Sequence, residues 1–446
     1  MQEKDKNKVS FIHEKIKEKP VNKKRLLMQV GFVVGMAIVF GLIASLVFTI
    51  SQPMFEEMIY PEQEPIVTIP KDNVADTESS EGTETKETET EETETKDDEA
   101  KGAETETNDI GTGEQMPVVP QQLEIADYQN LQSKLYAVGR EANKFVVTVT
   151  GVKSDTDWFN NAYESKGRSS GIIVADNGAE LLILTERKAI SDAQEIYVTF
   201  INDVSVEATM KKYDGNTGIA ILSVPHSSMD VETLKTIKIA TLGNSLVIPQ
   251  GMIAIAVGSP LGTNYSILTG NITSTTNSIS TIDSNYTIFT TDIVGSSNGS
   301  GVLINVEGEV IGLVMQDYSS EGDQNTLTAI SISELKGIIE MLSNGQDIPY
   351  IGLELTTVTN DIAREYDIPK GAYIKEVKMD SPAMAAGLQS GDVITKIGKE
   401  AVLTVDGYES ALLSLEPEKS VKVVVQRQGT DGYAEITCTV DVSVLQ

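Results

Sequence analysis

The side chains that carry most acid–base catalysis are scarce in this chain of 446 residues, which has only two histidines, His13 and His226. His13 lies in a lysine-rich N-terminal tail, and His226 follows the apolar run from Ile219 to Val224. A serine hydroxyl is a weak nucleophile until a neighbouring base, usually an imidazole, takes its proton. Because both histidines lie away from the motifs described below, the sequence argues against ordinary Ser-His-Asp chemistry.

Metal, disulfide and nucleic-acid chemistry are also disfavoured. The single Cys438 cannot form an intramolecular disulfide, and it lies in an alternating stretch typical of a strand. No cluster of Cys and His has the spacing of a metal site, so we predict neither a metal nor a cofactor. Nucleic acid is not an expected partner, because no basic stripe exists outside the N-terminal tail.

More than a third of the net charge of −31 lies in one segment. Between Lys71 and Asp109 the sequence has 16 acidic and 4 basic residues, a net charge of −12, and almost no large apolar side chains. Such a segment cannot bury enough apolar surface to offset the entropy lost on ordering. We therefore predict an acidic disordered linker at residues 51–125.

The apolar run from Leu26 to Ile50 contains 25 uncharged residues, long enough as a helix to cross the hydrocarbon core of a bilayer. It is too long for a signal peptide, and no good cleavage site follows it. The basic residues before it, Lys23 to Arg25, place the N-terminus in the cytoplasm. We predict a cytoplasmic tail at 1–25 and a single transmembrane helix at 26–50, with the rest of the chain outside the cytoplasm.

The remainder of the chain has the pattern of β-rich domains. Apolar positions at near-helical spacing predict a helix at 127–144. Short apolar runs separated by Gly, Asn and Asp then predict an antiparallel barrel or sandwich, closed by a helix at 331–342. The last hundred residues predict a smaller unit of strands with helices at 382–386 and 406–415.

Five segments carry a resemblance to a known family: Thr241–Ser245, Ile253–Gly262, Ile267–Ile272, Tyr350–Glu354 and Ser381–Ile394. In this order and spacing they resemble the HtrA (Deg-type) trypsin-like serine proteases with a C-terminal PDZ domain. The resemblance implies a mainly β protein with a two-barrel, chymotrypsin-fold domain at 126–345. An α+β PDZ domain follows at 346–446, and the N-terminal transmembrane helix precedes both.

Two positions of the family's catalytic triad are replaced in this sequence. The family's histidine follows a Leu-Thr-Asn-Asn-type phrase, and the matching phrase here, 184–188, ends in Lys188. The family's aspartate lies in Thr-Asp-Leu-Ala-Val-Leu, and the matching phrase 217–222 has Gly218 at that position. The resemblance thus provides neither the catalytic acid nor the catalytic base.

The nucleophile position has two registers. Counting back from Leu303 places Gly299 at the family's serine, whereas counting forward from Asp292 places Ser300 there. We favour Gly299. The alternative is a working endopeptidase in which Lys188 acts as the base for Ser300 or Ser297, which would require the lysine pKa to fall by several units through burial.

The PDZ-like unit has no such defect. A PDZ domain adds a peptide as an extra strand at a sheet edge, while loop amides hold the terminal carboxylate of the peptide. By resemblance, the peptide-binding residues are Ile351, Gly352, Leu353, Glu354, Leu355 and Leu412. The plain alternative is that the leucines only form the core of the domain.

The sequence therefore predicts a membrane-anchored, extracytoplasmic pseudoprotease that binds peptide segments or C-termini as a scaffold, sensor or regulator of protein quality control. The resemblance further implies homotrimers or hetero-oligomers with active HtrA relatives. A tether facing an exterior without disulfides favours a Gram-positive bacterium. A purely architectural protein that spaces other envelope components is a third hypothesis.

Overall fold

The computed structural model describes residues 23–59, 66–72, 124–156, 162–319, 325–430 and 432–445. The chain divides into two compact units, Met1–Glu64 and Pro65–Gln446. His13 and most of the predicted acidic linker lie outside the described residues.

The first unit contains one helix, α1 (Lys23–Ile59), which includes the predicted transmembrane run. Within the described part of the chain, no helix combines the length and the mean hydropathy that a bilayer span requires. The predicted membrane span is therefore not confirmed.

The second unit contains two closed six-stranded barrels and a separate smaller sheet. The first barrel has the strand order β1-β2-β3-β6-β5-β4. Its strands are β1 (Val146–Thr156), β2 (Ala162–Asp176), β3 (Glu180–Glu186), β4 (Glu195–Thr199), β5 (Ser205–Tyr213) and β6 (Ile219–Pro225). The central strands β3 and β6 are buried on both faces, which explains their continuous apolar runs.

A pair of glycines in this barrel positions the turn that contains Lys188. Gly151 in β1 pairs with Gly167 in β2. A Cβ atom at either glycine would lie 2.5 or 2.4 Å from the carbonyl oxygen of Ala189. The two strands therefore leave room for the 3-10 turn Arg187–Ala189 only because neither residue has a side chain.

The second barrel has the order β10-β11-β12-β9-β8-β7 and begins after the short helix α3 (Val231–Thr236). Its strands are β7 (Ile253–Ser259), β8 (Ser266–Ser280), β9 (Asn285–Val294), β10 (Ser300–Ile304), β11 (Val310–Met315) and β12 (Thr326–Ser331). Helices α2 (Ile125–Ala142) and α4 (Ile332–Ser343) pack on the barrels through one shared core that includes Leu135, Leu335 and Leu342. The predicted helices at 127–144 and 331–342 are thus confirmed to within two residues.

The C-terminal sheet has the order β14-β15-β16-β18-β19, with β14 at one edge. Its strands are β14 (Leu353–Thr357), β15 (Ala372–Val377), β16 (Val393–Ile397), β18 (Ser420–Gly429) and β19 (Gly432–Asp441), and β17 (Glu400–Ala401) pairs with β16. The helices are α5 (Asn360–Tyr366), α6 (Pro382–Ala385) and α7 (Val405–Leu413), and β13 (Pro349–Tyr350) pairs with β20 (Ser443–Val444). Cys438 is a buried residue of β19, as the alternating pattern predicts.

Part of the predicted linker belongs to the second unit and is packed against helix α4. In the segment 66–72, the Val67 amide donates to the side chain of Asn344 (2.8 Å), and the Ile69 amide donates to Glu340 (2.8 Å). Asp72 accepts from Lys336 Nζ at 2.7 Å, and the Lys336 side chain is only 4% exposed. The acidic stretch that follows residue 72 leads to helix α2, which belongs to the same unit as the segment 66–72. The stretch therefore connects two parts of one unit.

Replacing Asp72 with asparagine is expected to lower the free energy of unfolding by about 2 kcal/mol, because it leaves the buried Lys336 ammonium without its counter-charge. Urea denaturation of the full-length chain measures this change. The matched control is Asp192→Asn, at an exposed position, where we expect a change within about 0.5 kcal/mol. Equal stabilities of the Asp72 variant and the control would contradict the docked arrangement.

Candidate functional site

The nucleophile-loop serine lies between the two barrels and is not free. Ser300 begins β10, and its side chain is buried, with 3% exposed. The Ser170 amide in β2 donates a hydrogen bond of 3.0 Å to Ser300 Oγ. The two barrels therefore meet at this hydroxyl, and within the described residues its hydrogen-bond partner is a backbone amide, not a base.

The neighbouring position has no room for a side chain. A Cβ atom at Gly299 would lie 2.8 Å from the Pro260 carbonyl oxygen and 2.9 Å from that of Ser296. The Gly299 amide itself donates to the Ser296 carbonyl at 2.7 Å. An oxyanion hole needs amide hydrogens that point at the reacting oxygen, and this turn uses the Gly299 amide internally.

Lys188 is held as a cation. Its Nζ lies 2.6 Å from Glu186 Oε2 and 3.2 Å from Asp317 Oδ2. Burial acts to lower the pKa of Lys188, but the two carboxylates outweigh it and the net pKa is raised. Burial raises the pKa of Glu186, which is 3% exposed, and Lys188 opposes that rise. A lysine with a raised pKa is protonated at neutral pH and cannot take a proton from serine.

The remaining acid–base candidates are elsewhere or absent. Gly218 has a left-handed φ of 76°, and its carbonyl accepts from the Arg187 amide at 2.8 Å. This places Gly218 beside the Lys188 turn, where the resemblance expects an aspartate. His226 follows β6, and its Nε2 lies 3.0 Å from Asp176 at the end of β2. The structure therefore places His226 beside Asp176 and not in the nucleophile loop.

The predicted carboxylate-binding loop of the PDZ-like sheet is occupied by a carboxylate from the barrel domain. Asp283, in the turn between β8 and β9, accepts from the amides of Ile351 (2.8 Å), Gly352 (2.7 Å) and Leu353 (3.0 Å). A fourth hydrogen bond of 2.7 Å comes from the hydroxyl of Tyr408 in α7. All four donors point at the carboxylate, as three loop amides do when they hold the terminus of a peptide.

The free edge of β14 is covered by the same turn. The Asp283 amide donates to the Leu353 carbonyl at 2.6 Å. The next carbonyl on that edge, Leu355, accepts from Ser280 Oγ (3.2 Å) and Asn285 Nδ2 (3.3 Å). The β8–β9 turn therefore provides hydrogen-bond donors where an added strand would provide them.

The side chains of the predicted peptide-binding residues serve mainly in the core. Ile351, Leu353, Leu355 and Leu412 are buried members of one apolar cluster of the C-terminal sheet. Glu354 forms an ion pair with Lys378 (2.5 Å). These apolar side chains contribute packing, whereas the loop contributes its backbone amides.

Only glycine fits at the centre of this loop. Gly352 has a φ of 96°, and a Cβ there would lie 2.3 Å from Ser381 Cβ. The glycine therefore fixes the direction in which the two neighbouring amides point.

Sequence reasoning missed Asp283 and Tyr408. Asp283 is separated from its loop partners by about 70 residues and belongs to another domain. Tyr408 lies one helical turn before Leu412 on α7. Because residues four apart on a helix share a face, the predicted groove residue Leu412 could have indicated Tyr408.

Two closed six-stranded barrels with a loop serine between them, followed by this sheet, define a trypsin-like peptidase fold joined to a PDZ domain. Residues 169–313 match the trypsin-like peptidase domain family, and residues 349–438 match the PDZ domain family. HtrA and DegP proteins are homologues of the chain, which confirms the resemblance drawn from the sequence.

Two relatives illustrate the extent of the similarity. The Serine protease Do-like HtrA of Lactococcus lactis subsp. cremoris (strain MG1363) is 28% identical over 321 residues, covering 67% of this chain and 77% of that protein. The Serine protease Do-like HtrB of Bacillus subtilis (strain 168) is 27% identical over 321 residues, covering 66% and 68%. A structure of the HtrA-type protease AlgW with a decapeptide aligns with a TM-score of 0.50 and 21% identity over 70% of this chain and 99% of that one, which supports the fold.

Proposed function

We propose that this protein is a pseudoprotease of HtrA type that binds peptides or unfolded envelope proteins through its PDZ domain. The observation that carries the proposal is the state of Lys188, the residue at the histidine position. It is ion-paired with Glu186 at 2.6 Å and has a raised pKa. The two candidate nucleophile positions add to this, because Gly299 has no space for a side chain and the Ser300 side chain is buried against the Ser170 amide, with 3% exposed.

The test is to incubate the full-length chain with unfolded casein and a serine-directed fluorophosphonate probe, beside an active HtrA protease and the variant Ser300→Ala. We expect neither cleavage nor labelling, at a level where the active protease shows both. Labelling that maps to Ser300 and disappears in Ser300→Ala would overturn the proposal. It would instead support the endopeptidase that uses Lys188 as its base.

A membrane anchor supports the extracytoplasmic part of the proposal. The uncharged run from Leu26 to Ile50 lies within α1, and its side chains such as Phe32 and Phe40 are 70% and 74% exposed. Exposed apolar surface of this extent on a helix favours a lipid environment. We expect the chain to stay in the membrane pellet after an alkaline carbonate wash; release into the supernatant would contradict the anchor.

The proposed partners are C-termini or exposed segments of extracytoplasmic proteins, with homotrimers or hetero-oligomers with active HtrA relatives as the proposed assembly. The amides of Ile351, Gly352 and Leu353 converge on one carboxylate, which supports a ligand with a terminal carboxylate. The purely architectural alternative predicts that deletion of the PDZ domain leaves function intact, provided that the tether length is kept.

A further inference from the structure

We propose that Asp283 is an internal ligand that keeps the PDZ groove closed, so that an external C-terminus binds only by displacing the β8–β9 turn. This inference rests on the proposed function, since it assumes that the groove takes a peptide carboxylate. It goes beyond that function by assigning a built-in regulator of access to the site.

The turn reproduces both parts of a PDZ ligand. The Asp283 carboxylate accepts from the amides of Ile351, Gly352 and Leu353 at 2.7–3.0 Å. The Asp283 amide donates to the Leu353 carbonyl at 2.6 Å, as the terminal residue of an added strand would. The carboxylate and the strand pairing therefore come from one residue, and a peptide terminus cannot use the same donors at the same time.

The space left beside the Asp283 carboxylate is small. The cavity bounded by Asp283, Tyr350 and Glu409 has a volume of about 20 Å³, which holds about one water molecule. Tyr408 is fully buried and directs its hydroxyl to Asp283 at 2.7 Å. Helix α7 thus closes the groove from the side opposite β14.

The conformation of the β8–β9 turn favours a contact with β14 that a peptide can displace. Asp283 has a left-handed φ of 61°, which an aspartate tolerates at a small cost. The pairing with β14 is short, because only the Leu353 and Leu355 carbonyls on that edge accept from the turn. A peptide that extends further along β14 would add hydrogen bonds that the turn does not make.

Closure by an internal ligand lowers the apparent affinity for an external one to the intrinsic affinity multiplied by the fraction of open molecules. Asp283→Asn keeps the size of the side chain but removes the charge and places an amide group against loop amides. We expect this variant to bind carboxylate-ended peptides at least tenfold more tightly than the natural chain. Tyr408→Phe removes one donor of four and should give a smaller gain of the same sign.

The experiment uses two readouts on the full-length chain. Hydrogen exchange at the amides of Ile351 to Leu353 reports the closed state without any ligand. Fluorescence anisotropy reports binding of labelled decapeptides that end in a free Val, Leu or Phe carboxylate, with the amidated peptides as the negative probe. The matched control variant is Asp203→Asn, which also replaces a left-handed aspartate in a hairpin turn (φ 64°), in the other barrel.

The expected result is faster exchange and tighter peptide binding in Asp283→Asn, with Asp203→Asn unchanged in both. Unchanged exchange in Asp283→Asn would overturn the closure itself. Equal peptide affinity of the natural chain and Asp283→Asn would overturn the inference while leaving the proposed PDZ function intact. Faster exchange with no peptide binding in any variant would overturn the proposed PDZ function, and with it the competition.

Discussion

Replacing Lys188 with methionine is expected to lower the free energy of unfolding at pH 7 by about 2–3 kcal/mol. The Glu186 carboxylate is buried, and Lys188 Nζ lies 2.6 Å from it. Removing one partner of such a pair leaves an uncompensated buried charge. If Lys188 were a catalytic base, the same substitution would abolish an activity rather than reduce stability.

The cost of Lys188→Met should depend on pH in a defined direction. Burial already raises the pKa of Glu186, and loss of the lysine raises that pKa further. A carboxyl whose pKa is raised in the folded state contributes stability at low pH and loses it as the pH rises through that pKa. The difference between the variant and the natural chain should therefore be small near pH 4 and reach its full value above neutrality.

Chemical denaturation at several pH values measures this effect, and the chain offers a matched control. Lys212 pairs with Asp347 at 2.6 Å, but both side chains are at least 34% exposed. Lys212→Met should cost less than about 1 kcal/mol, since exposed ion pairs contribute little. The double variant Glu186→Gln with Lys188→Met should regain most of the lost stability. Equal costs for Lys188→Met and Lys212→Met would contradict the structural role assigned to Lys188.

The strands of the barrels could be predicted because they depend on local patterns, whereas their closure into two barrels followed from the family resemblance. Apolar runs such as Leu181–Leu184 and Met252–Val257 are short, are punctuated by turn residues and lie in strands of the barrels. The helix predicted at 406–415 corresponds to α7, within two residues at its C-terminal end. Periodicity and turn chemistry act over neighbouring residues, so the sequence carries them directly.

The contacts that decide function could not be predicted because they join distant residues. The segment 66–72 has no periodic pattern, and it docks through backbone amides on Glu340 and Asn344, more than 270 residues away. Glu186 lies in a polar phrase, yet it ends a strand that is buried on both faces. Asp283 has the sequence context of any turn aspartate. Only the three-dimensional arrangement distinguishes these residues from surface polar residues.

Raising the pH from 6 to 9 is expected to lower the free energy of unfolding by about 2–3 kcal/mol through Glu409, at the contact between α7 and the barrel domain. Burial raises the pKa of Glu409 to about 8, and the carboxylates of Glu334, Asp406 and Asp214 add to that rise. A hydrogen bond with Ser284 acts in the opposite direction. Because the folded pKa exceeds that of the unfolded chain, stability is highest at low pH and is lost as the pH rises through about 8.

The same titration should act on the closed state of the PDZ groove, since Ser284 is the residue after Asp283 in the turn. An ionised Glu409 among Glu334, Asp406 and Asp214 repels its neighbours across this contact. Peptide affinity of Glu409→Gln should therefore depend less on pH between pH 6 and pH 9 than that of the natural chain. The free energy of unfolding of Glu409→Gln should also exceed that of the natural chain at pH 9.

Denaturation and anisotropy measured in parallel at pH 6, 7.5 and 9 test this coupling. Glu435→Gln, at an exposed position of β19, is the matched control and should follow the natural chain at every pH. A pH slope that persists in Glu409→Gln would assign the titration to another group of the contact. If Glu409→Gln loses the pH dependence of stability but keeps that of peptide affinity, Glu409 does not control closure of the groove by the β8–β9 turn. If both slopes disappear together, one carboxyl group links the pH of the surroundings to access of the PDZ groove.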